Sequence, residues 1–236
     1  MKKILLYIPI LLLAGAAGAE AQDRVEASLG TDIVSRYIWR GQDLGAVSLQ
    51  PSLGVAFKGL SLGAWGSAGL SNPSDTEEFD LTLGYSIGGF NIGVTDYWFN
   101  AGPDLQNRYF KYCKGVTNHV FEATAGYDFG FVSLQWYTNF AGNDSVNGNG
   151  RLSYSSYLEA SVPFAFGGVD WTATAGVVPF ATDFYGADGF AFINVALTAA
   201  KDIRVTDTFS IPVFAQLAAN PYDGKAFLVF GITLQP

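Results

Sequence analysis

The stretch Val132-Ser-Leu-Gln-Trp-Tyr-Thr-Asn-Phe140 alternates between two characters along its whole length. Successive side chains of an extended strand point to opposite faces. One face therefore collects Val132, Leu134, Trp136, Thr138 and Phe140, and the other Ser133, Gln135, Tyr137 and Asn139. The same period of two returns elsewhere. Phe79, Leu81, Leu83, Tyr85 and Ile87 alternate with Asp80, Thr82, Gly84 and Ser86, and Val169, Trp171, Ala173, Ala175 and Val177 with Asp170, Thr172, Thr174 and Gly176. A strand with one apolar and one polar face separates two environments, and its recurrence points to a sheet that does so throughout.

Working outward, the pattern predicts about twelve strands, near 25–36, 48–57, 60–69, 77–87, 90–99, 119–129, 131–140, 152–163, 169–179, 189–200, 208–218 and 225–234. Each is about the 9–11 residues that a tilted strand needs to cross a bilayer. Tight Gly-bearing turns at Lys58-Gly59, Gly88-Gly89, Gly130 and Phe166–Gly168 alternate with longer connections at 38–47, 70–76, 100–118, 141–151, 180–188 and 219–224. Short turns on one side and longer loops on the other are the outer-membrane barrel pattern. Lys201–Asp207 breaks the rule by spanning seven residues on the short-turn side. Aromatics collect at both strand ends: Trp39, Trp98, Trp136, Tyr137, Tyr154 and Phe180 at the long-loop end, and Phe57, Phe90, Phe129, Phe131, Phe164 and Phe209 at the other. That placement fits two aromatic girdles.

Composition agrees. The chain is 49% hydrophobic and 15% aromatic but only 14% charged, against about 25% charged in soluble domains. No stretch after residue 21 reaches the ~18 apolar residues of a spanning helix. A closed barrel reconciles the two facts, because every backbone polar group pairs around the ring. A soluble β-sandwich is the competing architecture, but it would keep its outer faces polar and its edge strands charged. Lys2, Lys3, the apolar run Ile4–Leu13 and the small-x-small site Ala19-Glu20-Ala21 read as an export signal. Residues 1–21 are thus expected to be cleaved, leaving one barrel domain over 22–236. One Cys, Cys113, excludes an intrachain disulfide and reads as an incidental loop residue. A net charge of −8 argues against nucleic acid as a partner.

If the apolar face meets lipid, the polar face lines a bore. Its charged positions are Glu26, Asp32, Arg36, Asp80, Glu122, Asp128, Glu159 and Asp170, with Arg40 at the mouth. A wall in which carboxylates outnumber bases attracts cations. Arg36 and Arg40 also admit a stiffening role, paired with Asp32, Asp43 or other carboxylates, and Asp43 is the partner expected for Arg40. The many Gly, Ser, Thr and Ala positions suggest open space in the bore, and twelve strands, between filled eight-stranded barrels and wet sixteen-stranded ones, suit either a narrow wet pore or a lumen plugged by a loop. In the longest loop, Arg108, Lys111 and Lys114 stand among aromatics. They suit a constriction folded into the lumen, a contact to lipopolysaccharide phosphates or a solvated loop. One His and one Cys give no metal-ligand spacing, and no cofactor is expected. A rim hydrolase would need a Ser beside His119, with Ser133 and Ser153 the nearest candidates from adjoining strands.

Val34-Ser-Arg-Tyr-Ile-Trp-Arg-Gly-Gln-Asp43, Gln50-Pro51-Ser52 and Gly59–Ser67 together resemble the porin family of the TorF type, long described as conserved proteins of unknown function. Its early pattern, Ser-x-Tyr-x-x-Arg-Gly, a Pro-containing strand and Gly-x-Trp-x-Ser, is matched by Ser35, Tyr37, Arg40 and Gly41, by Pro51, and by Gly63, Trp65 and Ser67. The resemblance covers about the first 45 residues after the signal. It implies an outer-membrane location and pore activity. The expected function is passive diffusion of small hydrophilic solutes, cation-preferring and without a catalytic step. A closed structural or surface-binding barrel is the second reading. Outer-membrane lipid and lipopolysaccharide are the expected partners, and an apolar exterior also accommodates a homo-oligomer.

Overall fold

A computed structural model describes residues 24–72, 75–100, 108–113, 116–146, 150–207 and 209–236. The expected signal segment and Lys114 lie outside them. Twelve antiparallel strands close into a barrel: β1 (Glu26–Val34), β4 (Ser48–Phe57), β5 (Leu60–Gly69), β6 (Glu77–Ile87), β7 (Phe90–Asn100), β8 (His119–Asp128), β9 (Ser133–Gly142), β10 (Ser156–Phe166), β11 (Val169–Val178), β12 (Ala191–Arg204), β13 (Ser210–Asn220) and β14 (Lys225–Leu234). Each pairs with its sequence neighbour, and β14 returns to β1 from Thr31–Leu234 through Val34–Gly231. Closure leaves no open sheet edge. The other two strands, β2 (Tyr37–Trp39) and β3 (Gln42–Gly45), form a separate hairpin.

The predicted strands match these within a few residues. The largest shift is β10, expected at 152–163. Its early part instead sits in loop contacts, with Ser153 N–H donating to the Ser145 carbonyl and Tyr154 at φ 52. The long turn at 201–207 is explained by β12 running on to Arg204 before the chain reverses. Tight turns behave as their residues demand. Lys58 and Gly59 have φ 50 and 84, the double positive φ of the hairpin turn that matches strand twist.

Burial alternates along the strands as the sequence does. On β6, Glu78, Asp80 and Gly84 are buried, whereas Phe79, Leu81, Leu83, Tyr85 and Ile87 are exposed. The exterior is thus apolar and the interior polar, the reverse of a soluble protein. Phe57, Phe90, Phe129, Phe131, Phe164 and Phe209 ring the short-turn end, and Tyr154 and Phe180 stand exposed at the other. Trp136, expected with them, is exposed on the short-turn half of β9, paired with Ala125. Trp39 and Tyr137, expected in that outer girdle, are instead buried inside. Among the described residues, no helix is long and apolar enough to cross a membrane.

Candidate functional site

The first long connection does not lie over the barrel mouth. Residues 37–45 turn inward as the β2–β3 hairpin, and its two-residue tip is Arg40-Gly41, with φ 48 and 77. Arg40 reaches across to β8. Its Nη1 and Nη2 donate to Glu122 Oε2 and Oε1 at 2.6 and 2.9 Å, and Nη1 also donates to the Tyr185 hydroxyl at 2.5 Å. The guanidinium lies 3.9 Å from the ring centre of Tyr137, 4.5 Å from Trp39 and 4.8 Å from Tyr157. Tyr97 donates to Glu122 Oε1 at 2.9 Å. Glu122 has no solvent exposure, and a two-toothed partner and a phenol saturate its oxygens.

The hairpin is fastened to the opposite wall as well. Asn220 of β13 donates to the Gly41 carbonyl at 3.3 Å. A Cβ on Gly41 would stand 1.8 Å from the Ile193 carbonyl oxygen of β12, so the tip touches β12 backbone and only glycine fits. Tyr37 donates to Glu78 Oε2 at 2.8 Å. Contacts to β6, β8, β12 and β13 mean that the insert crosses the bore. With Tyr185, Ala187 and Ile193 it forms an apolar cluster inside the barrel. Asp144 supports this layer from above, accepting from Asn139 Nδ2 at 3.2 Å and from Ser155 N–H at 3.1 Å.

The predicted lining residues scatter over three levels. Arg40, Glu122 and Asp80 sit at the hairpin level, and Glu159 just below accepts from the Tyr157 hydroxyl at 2.7 Å. Oε1 of Glu78 and Oδ1 of Asp80 are buried without a donor in the wall. Asp32 accepts from Thr233 at 2.5 Å. Glu26, Asp128 and Asp170 lie at the short-turn mouth, where Asp128 Oδ1 caps Gly130 N–H at 2.7 Å. Arg36 stays at the outer rim, 3.6 Å from Asp43 and over the Phe227 ring. Asp43 is thus the partner of Arg36, and the expected Arg40–Asp43 contact is replaced by Arg40–Glu122.

Small residues leave less space than their size suggests. A Cβ on Gly176 would strike the Tyr157 hydroxyl at 1.9 Å, one on Gly231 the Phe214 ring at 2.2 Å and one on Gly126 the Gln135 amide at 2.0 Å. These inward glycines are filled by the neighbouring strand's long side chain, so they serve packing rather than bore width.

The basic loop lies outside the wall. Tyr109 packs at 5.6 Å from both Phe79 and Trp98, and at 5.0 Å from His119. His119 Nε2 lies 2.5 Å from the Tyr109 carbonyl and Nδ1 2.7 Å from Asp96 Oδ1. His119 and Asp96 share the outward face with Phe121 and Val94. The described part of the loop, 108–113, is therefore a strap pinned to the outer surface, and Arg108 and Lys111 do not constrict the lumen. Neither serine suits a hydrolase. Ser133 pairs with Asp128 at the far end of β8, about 30 Å from His119 at the usual strand rise, and Ser153 bonds to Ser145.

Several participants escaped the sequence reading, among them Tyr97, Tyr157 and Asn220. Asp96 carried a usable signal, a carboxylate in phase with Ile92, Val94 and Trp98. Glu78 was in phase with Asp80. Tyr185 had none, because it sits in a loop without periodicity.

Among solved structures, the chain is similar to a porin refined at 1.8 Å resolution, with 13% identity and a TM-score of 0.36 over 80% of this chain and 62% of that one. It is also similar to OmpF of Salmonella typhi in complex with daunomycin, with 11% identity and a TM-score of 0.36 over 90% and 97%. The chain thus spans less than two thirds of the first porin's length. No curated protein matches it. The family described as "Bacterial protein of unknown function (Gcw_chp)" matches residues 18–210, and the chain belongs to it.

Proposed function

We propose that the protein is a porin-like barrel of the bacterial outer membrane that passes small hydrophilic solutes, with the path shut at the β2–β3 hairpin in the state described above. The observation that carries this reading is the Arg40–Glu122 lock between an inserted hairpin and the wall. An apolar exterior with aromatic ends supports membrane residence. Below the hairpin the inward face bears Asp32, Glu159, Asp128 and Asp170, with no described Arg or Lys bonded to any of them. A carboxylate-rich path favours cations. The strap adds a lipid contact. Arg108 and Lys111 flank Phe110, which is 89% exposed, a combination suited to phosphate headgroups at the interface. The alternative is a permanently closed barrel with a structural or surface role, favoured by how completely the hairpin is packed.

Bilayer conductance of the refolded protein under a KCl gradient tests the reading. The wild-type chain should give rare or small openings. A variant with residues 37–45 replaced by a short Gly-Ser link should give frequent cation-selective steps. A folded, inserted, hairpin-free variant that stays silent overturns the channel reading in favour of the closed barrel.

A further inference from the structure

The wall around Arg40 has the make-up of a receptor for an organic cation. Glu122 comes from β8, Tyr97 from β7, Tyr137 from β9, Tyr157 from β10 and Tyr185 from the connection before β12. A carboxylate among the electron-rich faces of aromatic rings is the usual way to hold a guanidinium or alkylammonium group out of water. Much of this arrangement has partners within the wall, although Tyr185 is also bonded by Arg40 and stacked on Trp39. Tyr97 bonds Glu122 at 2.9 Å, Tyr157 bonds Glu159 at 2.7 Å, and Asn194 donates to the Tyr157 hydroxyl at 3.0 Å. Only Trp39 and Arg40 belong to the insert.

The hairpin, by contrast, is slight. Its strands have three and four residues, and an isolated two-stranded hairpin is marginal in water. Its ties to the rest of the protein besides Arg40 include three hydrogen bonds, Tyr37 to Glu78, Asn220 to the Gly41 carbonyl and Thr76 N–H to the Leu44 carbonyl, and the packing of Tyr37 on Trp65 and of Trp39 on Tyr97 and Phe184. Arg40 stands at the turn tip, presented to the wall much as a ligand's head group would be.

We propose that Glu122 and the surrounding tyrosines form a binding site for solutes bearing a guanidinium or alkylammonium group, and that Arg40 occupies it as a tethered stand-in. The proposal rests on the channel reading above and deepens it by naming the solute class. A cationic solute that enters the cage displaces Arg40, frees the hairpin and so favours its own passage. A ligand shifts such an equilibrium only through its differential affinity for the open state, and the vacated cage supplies that difference.

The test is binding, so its outcome is separable from conductance. Arg40→Asn removes the occupant and keeps a residue that tolerates positive φ. Ethylguanidinium chloride is titrated into refolded R40N, with KCl holding ionic strength constant, and the thermal midpoint and tryptophan fluorescence are followed. We expect a saturable rise in midpoint for R40N, a rise in wild type only at higher ethylguanidinium because Arg40 competes for the cage, and none for R40N combined with Glu122→Gln. An absent response in R40N, or an equal one in the double variant, overturns the proposal. Should R40N not refold, hydrogen exchange of residues 37–45 in the wild-type protein decides. Faster exchange with ethylguanidinium than with KCl supports displacement, and equal exchange overturns it. Binding without conductance in the hairpin-free variant would keep the site and discard the channel.

Discussion

Arg40 and Glu122 show how one buried pair fastens a hairpin inside the barrel. Each alone would be an uncompensated charge inside the barrel, and losing one partner of such a pair costs about 3–5 kcal/mol. Glu122→Ala is therefore expected to lower the unfolding midpoint in detergent sharply and to expose Trp39 to aqueous quenchers. Arg40→Met with Glu122→Leu removes both charges and should recover much of the stability, because apolar replacement of a buried pair is often neutral. Gly41 is constrained twice, by its φ of 77 and by the Ile193 carbonyl at its missing Cβ. Gly41→Ala should cost more than about 1 kcal/mol, measured as a lost midpoint with the barrel strands intact by circular dichroism. The motif Arg40-Gly41 was visible in the chain, and its turn chemistry was readable. The partner was not, since 82 residues separate Arg40 from Glu122.

At the level of elements, two long connections take opposite courses. The β2–β3 connection enters the bore because its tip carries a charge that finds a carboxylate there. The 108–113 strap stays outside because Tyr109 packs on outward-facing rings and His119, paired with Asp96, holds the Tyr109 carbonyl. His119→Ala should loosen the strap and leave the bore unchanged. The expected signature is faster tryptic cleavage after Arg108 and Lys111 in H119A than in wild type, with equal conductance. Strand limits were legible almost to the residue where alternation was strict, as in β4, β5 and β6. They slipped in β10, where Ser153 and Tyr154 look strand-like but serve the loop layer above it.

For the whole molecule, the inside-out distribution of polarity is the governing feature. An arginine on the lipid face near the bilayer midplane costs about 2–4 kcal/mol. On the membrane reading proposed above, Leu83, mid-strand on β6 and exposed, is such a position. Leu83→Arg should reduce folding into lipid vesicles and lower the denaturant midpoint by an amount in that range. Leu60→Arg, at the strand end near the headgroups, should cost far less.

Alternation, turn glycines and aromatic placement are local properties, so the amino-acid order by itself determined the barrel, its strand number, its inward and outward faces and its short-turn and long-loop ends. Period two is written within a few residues and needs no knowledge of the rest of the chain. The contents of the barrel were decided only by tertiary structure. Whether an inward glycine opens the bore or receives Tyr157 depends on the neighbouring strand's register. Whether a loop becomes an insert or a strap depends on which distant side chains it meets on closure. Arg40 met Glu122, Tyr137, Tyr157 and Tyr185, and that long-range complementarity of charge and ring placed a hairpin inside a barrel whose sequence left an open bore and a plugged one equally readable.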